Sequence, residues 1–283
     1  MLDNTSVIHY YNVKTVFFTR TAIDEKSTKI DFQEDTGMEI STSLNHFGST
    51  KVAREWRLSK GAQIERLYYI KGGGGQYRVQ GGEMRPFERG KIYIHPFNLC
   101  DSFTSDPSDP IDHIFFDFFT SPPIIADLPI IYDPCENPLL MEYIELLEAE
   151  IRTLEENASA SEKREKKTVI ELLFRALLCK LDNIRALPLA NDDAVCRALD
   201  YISQNYNKPI SINEIASSQG FDVSYFIRRF KRVMSTTPHV YLRTYRLMRA
   251  EELIKGGASV ESAALAVGYE NASSLRRALR SLK

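Results

Sequence analysis

Two stretches in the last hundred residues put cations where DNA could be read. In Asp222 to Met234, the residues Ser224, Ile227, Arg228 and Lys231 fall three, four and seven apart, so they share one helix face, with Phe226 and Phe230 on the other. In Asn271 to Leu282, the residues Ser273, Arg276, Arg277 and Arg280 repeat that spacing, with Leu275 and Leu279 inward. An arginine so placed can contact a base edge or a phosphate, and its neighbours add phosphate charge pairs.

Each of these helices follows a shorter one, which makes two helix-turn-helix units in tandem. Ser211 and Glu214 form a capping box, Ile212, Ile215 and Ala216 supply an apolar face, and Gly220 gives the turn its positive φ. The second copy runs from Ser259 to Ala264, then Gly268-Tyr269. Between them a helix begins at Thr237-Pro238 and stops at Gly256-Gly257. Its expected buried stripe is Tyr241, Tyr245, Met248 and Leu253, with Arg243, Arg246 and Arg249 recurring every three. A helix of roughly 18 residues spans ~27 Å, near the ~34 Å of one DNA turn. Both reading helices could therefore enter successive major grooves.

These residues resemble the DNA-binding domain of the AraC/XylS transcription regulators. The matching positions include Pro209-Ile210-Ser211-Ile212, Ala216, Gly220, Phe226, Arg228, Phe230-Lys231, Pro238, Tyr241-Leu242, Arg246-Leu247, Ala250, Leu253, Ala263-Ala264, Gly268-Tyr269 and Arg277, in order and spacing. The resemblance covers about a third of the chain. It implies a transcription regulator, usually an activator, whose variable N-terminal half senses a small molecule. Its partners would be double-stranded DNA, a small effector, a second copy of the chain and RNA polymerase. The base-facing positions it implies are Ser224, Ile227, Arg228, Ser273, Arg276 and Arg277. Ser235 stands where the family has Gly, and the closing Gly-x-x-Pro-x-x-Tyr-Arg segment is missing before Lys283. The expectation is that the second unit orders mainly on DNA and supplies phosphate contacts.

Charge follows the same division. Residues 191–283 hold 14 Lys and Arg against 9 Asp and Glu, net +5, while the 283-residue chain is −2, so residues 1–190 carry −7. Local positive charge on an acidic protein suits phosphate contact without pervasive nonspecific binding. The four cysteines, Cys100, Cys135, Cys179 and Cys196, show no metal spacing and suggest a reducing cytoplasm. Neither a signal peptide nor a membrane span is expected.

Residues 1 to about 120 read as β structure. Short β-branched and aromatic runs lie at Trp56-Leu58, Ile64-Ile70, Gln76-Val79, Ile92-Ile94 and Ile111-Phe119. They predict a sandwich or small barrel, with Gly72 to Gly75 as a hairpin turn. Gly90, five residues, then Pro96 is similar to part of the second cupin motif. Trp56, Arg57, Tyr68, Tyr77, Arg78, Tyr93 and His95 are the candidates for an effector pocket. Metal-dependent cupins need an H-x-H pair, which is missing around Ser59 to Gln63, and His9, His46, His95 and His113 stand alone. No catalytic residue, metal ligand or cofactor is therefore assigned.

Residues 136–188 change character. Leu140, Ile144, Leu147 and Ile151 form one helical series; Leu172, Leu173, Ala176, Leu177 and Leu181 form another; charged residues from Glu155 to Lys167 join them. These helices could cover the barrel or pair with a second chain. Arg185 to Asn191 reads as the linker. The expected fold class is α+β: a cupin-like β-barrel over 1–135, a helical dimerisation segment over 136–188, and an all-α double helix-turn-helix over 189–283. The expected function is a cytoplasmic, dimeric regulator answering to a small polar effector such as a sugar. The alternatives are a cupin isomerase or oxygenase with a DNA-binding tail, and a factor whose empty barrel is only a dimer scaffold.

Overall fold

A computed structural model describes residues 40–52, 64–154, 159–183 and 187–280, with the backbone of short strands at 5–8, 16–19 and 57–59. The chain divides into two compact units, 1–38 and 39–283. In the first, β1 (Thr5–Ile8) and β2 (Val16–Thr19) pair antiparallel, Thr5 opposite Thr19.

In the second unit nine strands form two open antiparallel sheets. They are β3 (Ser41–Lys51), β4 (Arg57–Ser59), β5 (Glu65–Gly72), β6 (Gly75–Val79), β7 (Met84–Pro86), β8 (Ile92–His95), β9 (Cys100–Ser105), β10 (Asp112–Ser121) and β11 (Ile130–Tyr132). One sheet has the order β11-β8-β5-β10-β3, the other β4-β9-β6-β7. The barrel expected from the sequence is thus a pair of sheets, with no closed ring of strands among the described residues. The Gly72 to Gly75 segment is not a hairpin, because β5 and β6 belong to different sheets and the glycines carry the chain between them. Gly73 has φ +74, and a Cβ there would meet the Pro110 carbonyl oxygen at 2.2 Å. Only glycine fits that approach.

The five-stranded sheet is covered on both faces, which explains its nearly unbroken apolar strands. Phe116 of β10 lies opposite Leu67 of β5, which lies opposite Ile94 of β8. This row faces α1 (Pro138–Arg152) and α2 (Ala160–Asn183), through Leu140, Ile144, Leu147 and Ile151 of α1 and Ile170, Phe174, Leu177, Leu178 and Leu181 of α2. The adjacent row, with Tyr68 opposite Tyr93, turns to the second sheet and packs with Tyr77, Phe87, Cys100 and Phe103. Lys71 ties α1 to the sheet through Glu148 at 2.9 Å and Asp112 at 2.9 Å.

Three helical details differ from the sequence reading. α2 begins at Ala160, inside the charged stretch expected to be a connector; Ser159 and Glu162 cap each other's amides there. Leu172 is 62% exposed, its expected place taken by Phe174 and Leu178. The linker is partly paired: Leu189 bridges Ile124, Ala190 donates to Pro123, and Ile125 donates to Pro188.

Candidate nucleic-acid interface

The C-terminal helices are α3 (Asp193–Asn205), α4 (Ile212–Ser217), α5 (Val223–Met234), α6 (Pro238–Lys255), α7 (Val260–Ala266) and α8 (Ala272–Arg280). At α4, Ser211 accepts from the Glu214 amide and Glu214 accepts from the Ser211 amide, the full capping box. Gly220 makes the turn at φ +73. Asp222 then caps α5, accepting from the Ser224 and Tyr225 amides.

Phe226, Phe230 and Met234 are buried under α5, joined with α3, Ile215, Ala216 and Tyr241. That leaves Ser224, Arg228 and Lys231 exposed and Ile227 half-buried, on the face read from the sequence. The neighbouring Arg229 has a different place. Its guanidinium lies 2.9 Å from Asp192 and over the Phe221 ring, so it fastens α5 to the start of α3.

The second unit has the same plan. Ser259 caps α7, and Gly268 turns at φ +85 where a Cβ would lie 3.0 Å from the Tyr206 carbonyl oxygen. Leu275 and Ala272 are buried with Ala263, Ala264 and Val267, while Leu279 is partly buried beside them. Ser273, Arg276, Arg277 and Arg280 are exposed. The Asn271 side chain accepts from the Ser274 amide at 2.9 Å.

α6 holds the two units together. Leu247 and Ala250 belong to the second unit's core, and Tyr241, Leu242 and Tyr245 to the first's. Leu253 is 38% exposed, contrary to its place in the expected stripe; the core line passes through Leu247 and Ala250 instead. Arg246 donates to the carbonyls of Tyr206 and Lys208 at 2.6 and 2.7 Å, so its charge is spent on the end of α3. Arg243 donates to the Ala278 carbonyl and Arg249 to Glu252.

The candidate effector residues divide. Tyr68, Tyr77, Tyr93 and His95 come together, buried and ring against ring: His95 lies 5.6 Å from Tyr68, 5.4 Å from Tyr77 and 6.3 Å from Tyr93. Burial, then the nearby Arg66 charge, pulls His95 down to about 3, and burial pushes Tyr68 up to about 12, so both stay neutral. Arg78 points away and pairs with Asp101 at 2.8 Å. Trp56 and the Arg57 side chain lie outside the described residues. No cluster of three or more His, Cys, Asp or Glu is placed to hold a metal among the described residues. No helix there is long and apolar enough to cross a membrane.

The seam between the sheets and the helices has no counterpart in the sequence pattern. Ile64, Phe97 and Phe119 from the sheet half join the core of α3 to α6. Lys167 of α2 pairs with Glu252 of α6, and Lys255 meets His46 at 2.9 Å. These residues are 85 to 209 positions apart.

Residues 215–283 match a family model described as a helix-turn-helix domain, of the AraC type. No curated protein matches the sequence. Among solved structures, an apo ToxT variant from Vibrio cholerae strain SCE256 is similar in fold. It is 9% identical with a TM-score of 0.55, and the match covers 88% of this chain and 95% of that one. ToxT from the same strain with an unsaturated fatty acid bound gives 9% and 0.53, covering 88% and 93%. ToxT from Vibrio cholerae O395 bound to a methylnaphthyl butenoic acid gives 11% and 0.53, covering 86% and 95%. At such identity the likeness is one of fold: a sheet-rich N-terminal half and a helical C-terminal half.

Proposed function

We propose that this chain, which carries an AraC-type helix-turn-helix domain, is a sequence-specific DNA-binding transcription regulator responding to a small molecule. The observation that carries the reading is the repetition of one geometry. Two capped helices, α5 and α8, each rest on buried apolar residues and present an exposed face of Ser and Arg in matching spacing. Ser224, Ile227, Arg228 and Lys231 are the contacts of the first reader; Ser273, Arg276, Arg277 and Arg280 those of the second. Residues 1–135, which include the two larger sheets, are the cupin-like sensor, and 136–188 and 189–283 are the helical segment and the DNA-binding domain. That ToxT structures contain bound organic acids supports a ligand-responsive sensor. Exposed Leu146 and Leu172 on α1 and α2 support a homodimer. The protein acts in the cytoplasm, as an activator that contacts RNA polymerase.

Selection of full-length protein on randomised duplex DNA tests this. The expected product is a motif of two half-sites about 10 base pairs apart, bound more weakly as salt rises. Recovery of no sequence preference would overturn the reading.

A further inference from the structure

Arg228 and Arg229 are neighbours on α5 with opposite fates. Arg228 is exposed on the face that bears Ser224 and Lys231. Arg229 turns to the flank and donates from Nε to both carboxylate oxygens of Asp192, at 3.1 and 2.9 Å. Its guanidinium also lies 5.3 Å from the centre of the Phe221 ring, in the turn before α5. Asp192 is itself fixed, because it caps α3 by accepting from the Val195 amide at 3.1 Å. The two side chains are 25% and 11% exposed, so salt screens the pair less than one on the open surface.

The buried residues of α5, Phe226, Phe230 and Met234, are four apart and lie close to one line along the helix. Contacts along a single line resist tilting of a helix more than rolling about its own axis. A side-chain tip ~6 Å from that axis moves ~1 Å in a roll of roughly 10°, and an error of ~1 Å is enough to loosen a recognition site. At about 100° per residue, Arg229 projects about 60° to one side of Phe226 and about 100° from Phe230. Its bond to Asp192 therefore acts off the buried line, where it opposes a roll. We infer that Asp192 and Arg229 are positioning residues for the first reading helix. They hold α5 at the roll that presents Ser224, Ile227 and Arg228 to base edges, and neither one touches DNA. This deepens the regulator reading and rests on it.

The test uses full-length protein as wild type, Asp192→Asn, Arg229→Met and the double variant. Each is titrated by anisotropy, at several salt concentrations, against the selected motif and a scrambled duplex of equal length. Asparagine caps a helix about as well as aspartate, so Asp192→Asn keeps the start of α3 and carries the test alone if Arg229→Met unfolds. Each single variant is expected to lose about fivefold of its preference for the motif, and the double variant no more than either single one, as partners in one contact do. Binding to the scrambled duplex and its salt dependence should stay as in the wild type, because Arg229 meets no phosphate. The two substitutions change the local charge in opposite senses, so a general charge effect would move affinity in opposite directions; loss of position lowers preference in both. Unchanged preference in both variants, losses that simply multiply in the double variant, or a flatter salt dependence in Arg229→Met overturns the inference. A wild type with no sequence preference sinks the regulator reading, whereas a selective wild type with equally selective variants sinks only the positioning pair.

Discussion

Single residues show where the chain departs from its easiest solution. Ser235 ends α5 in the left-handed region at φ 52, where a side chain is disfavoured and glycine is not. Ser235→Gly should therefore stabilise the protein by about 0.5–1 kcal/mol, read as a higher midpoint in urea; an unchanged or lower midpoint would show that the serine is not strained. Glu65 is buried and accepts from the Thr120 amide and hydroxyl and from the Ile124 amide, at 2.6, 2.7 and 2.9 Å. Burial pushes it up to about 7 against the pull of those donors. The native state then binds its proton more tightly than the unfolded chain does, and stability falls as pH rises from about 4.5 to 7. His95 works the other way: unfolded it takes a proton near 6.5, folded only near 3, so stability falls as pH drops through that window. The two effects oppose each other between 4.5 and 6.5. Glu65→Gln removes one of them, and its melting temperature should climb with pH across that interval more steeply than the wild type's. Parallel profiles would show that Glu65 does not titrate there.

The two reading helices look alike but are supported differently. Phe226, Phe230 and Met234 anchor α5 in a large core, and Arg229 adds its bond to Asp192. α8 has nine residues, resting on Leu275 and Ala272. The firmer helix is expected to carry more of the base discrimination. Arg228→Ala should weaken binding to the selected motif at least tenfold, in line with the ~1–3 kcal/mol of a good base contact, and leave the melting temperature unchanged. Arg276→Ala and Arg280→Ala should flatten the salt dependence while changing sequence preference little, as phosphate contacts do. Anisotropy titrations at several salt concentrations separate these cases; loss of sequence preference in Arg276→Ala would make α8 a reader in its own right.

At the scale of the molecule α6 is the common member. It joins two helical cores and also lies against the sheet half: Tyr245 is 2% exposed, sets its ring at a tilt against Phe119 at 4.8 Å and Tyr206 at 5.2 Å, and donates to Ser43 at 3.4 Å. Tyr245→Ala should cost about 3–5 kcal/mol in chemical denaturation and release amide protection in both α6 and β3. Faster exchange confined to α6 would mean that the seam adds little.

What the sequence determined by itself is local and periodic. The Ser211–Glu214 capping box, the turn glycines Gly220 and Gly268, Phe four residues from Phe and the Arg faces of α5 and α8 all follow from helical spacing, because each such contact is made within a turn or two of chain. The apolar strands β5, β8 and β10 of the five-stranded sheet were readable because their β-branched and aromatic runs are local too. β3, with sequence Ser-Thr-Ser-Leu-Asn-His-Phe-Gly-Ser-Thr-Lys, was not: it has little apolar alternation, and its pairing with β10 depends on a partner about seventy residues away. Tertiary structure alone decided that the glycine run crosses between sheets, since that rests on Pro110 approaching Gly73. It also decided which arginines remain available to DNA. Arg229 and Arg246 carry the same charge as Arg228, but Asp192 and the end of α3 take them up, and no pattern within one helix encodes a partner on another.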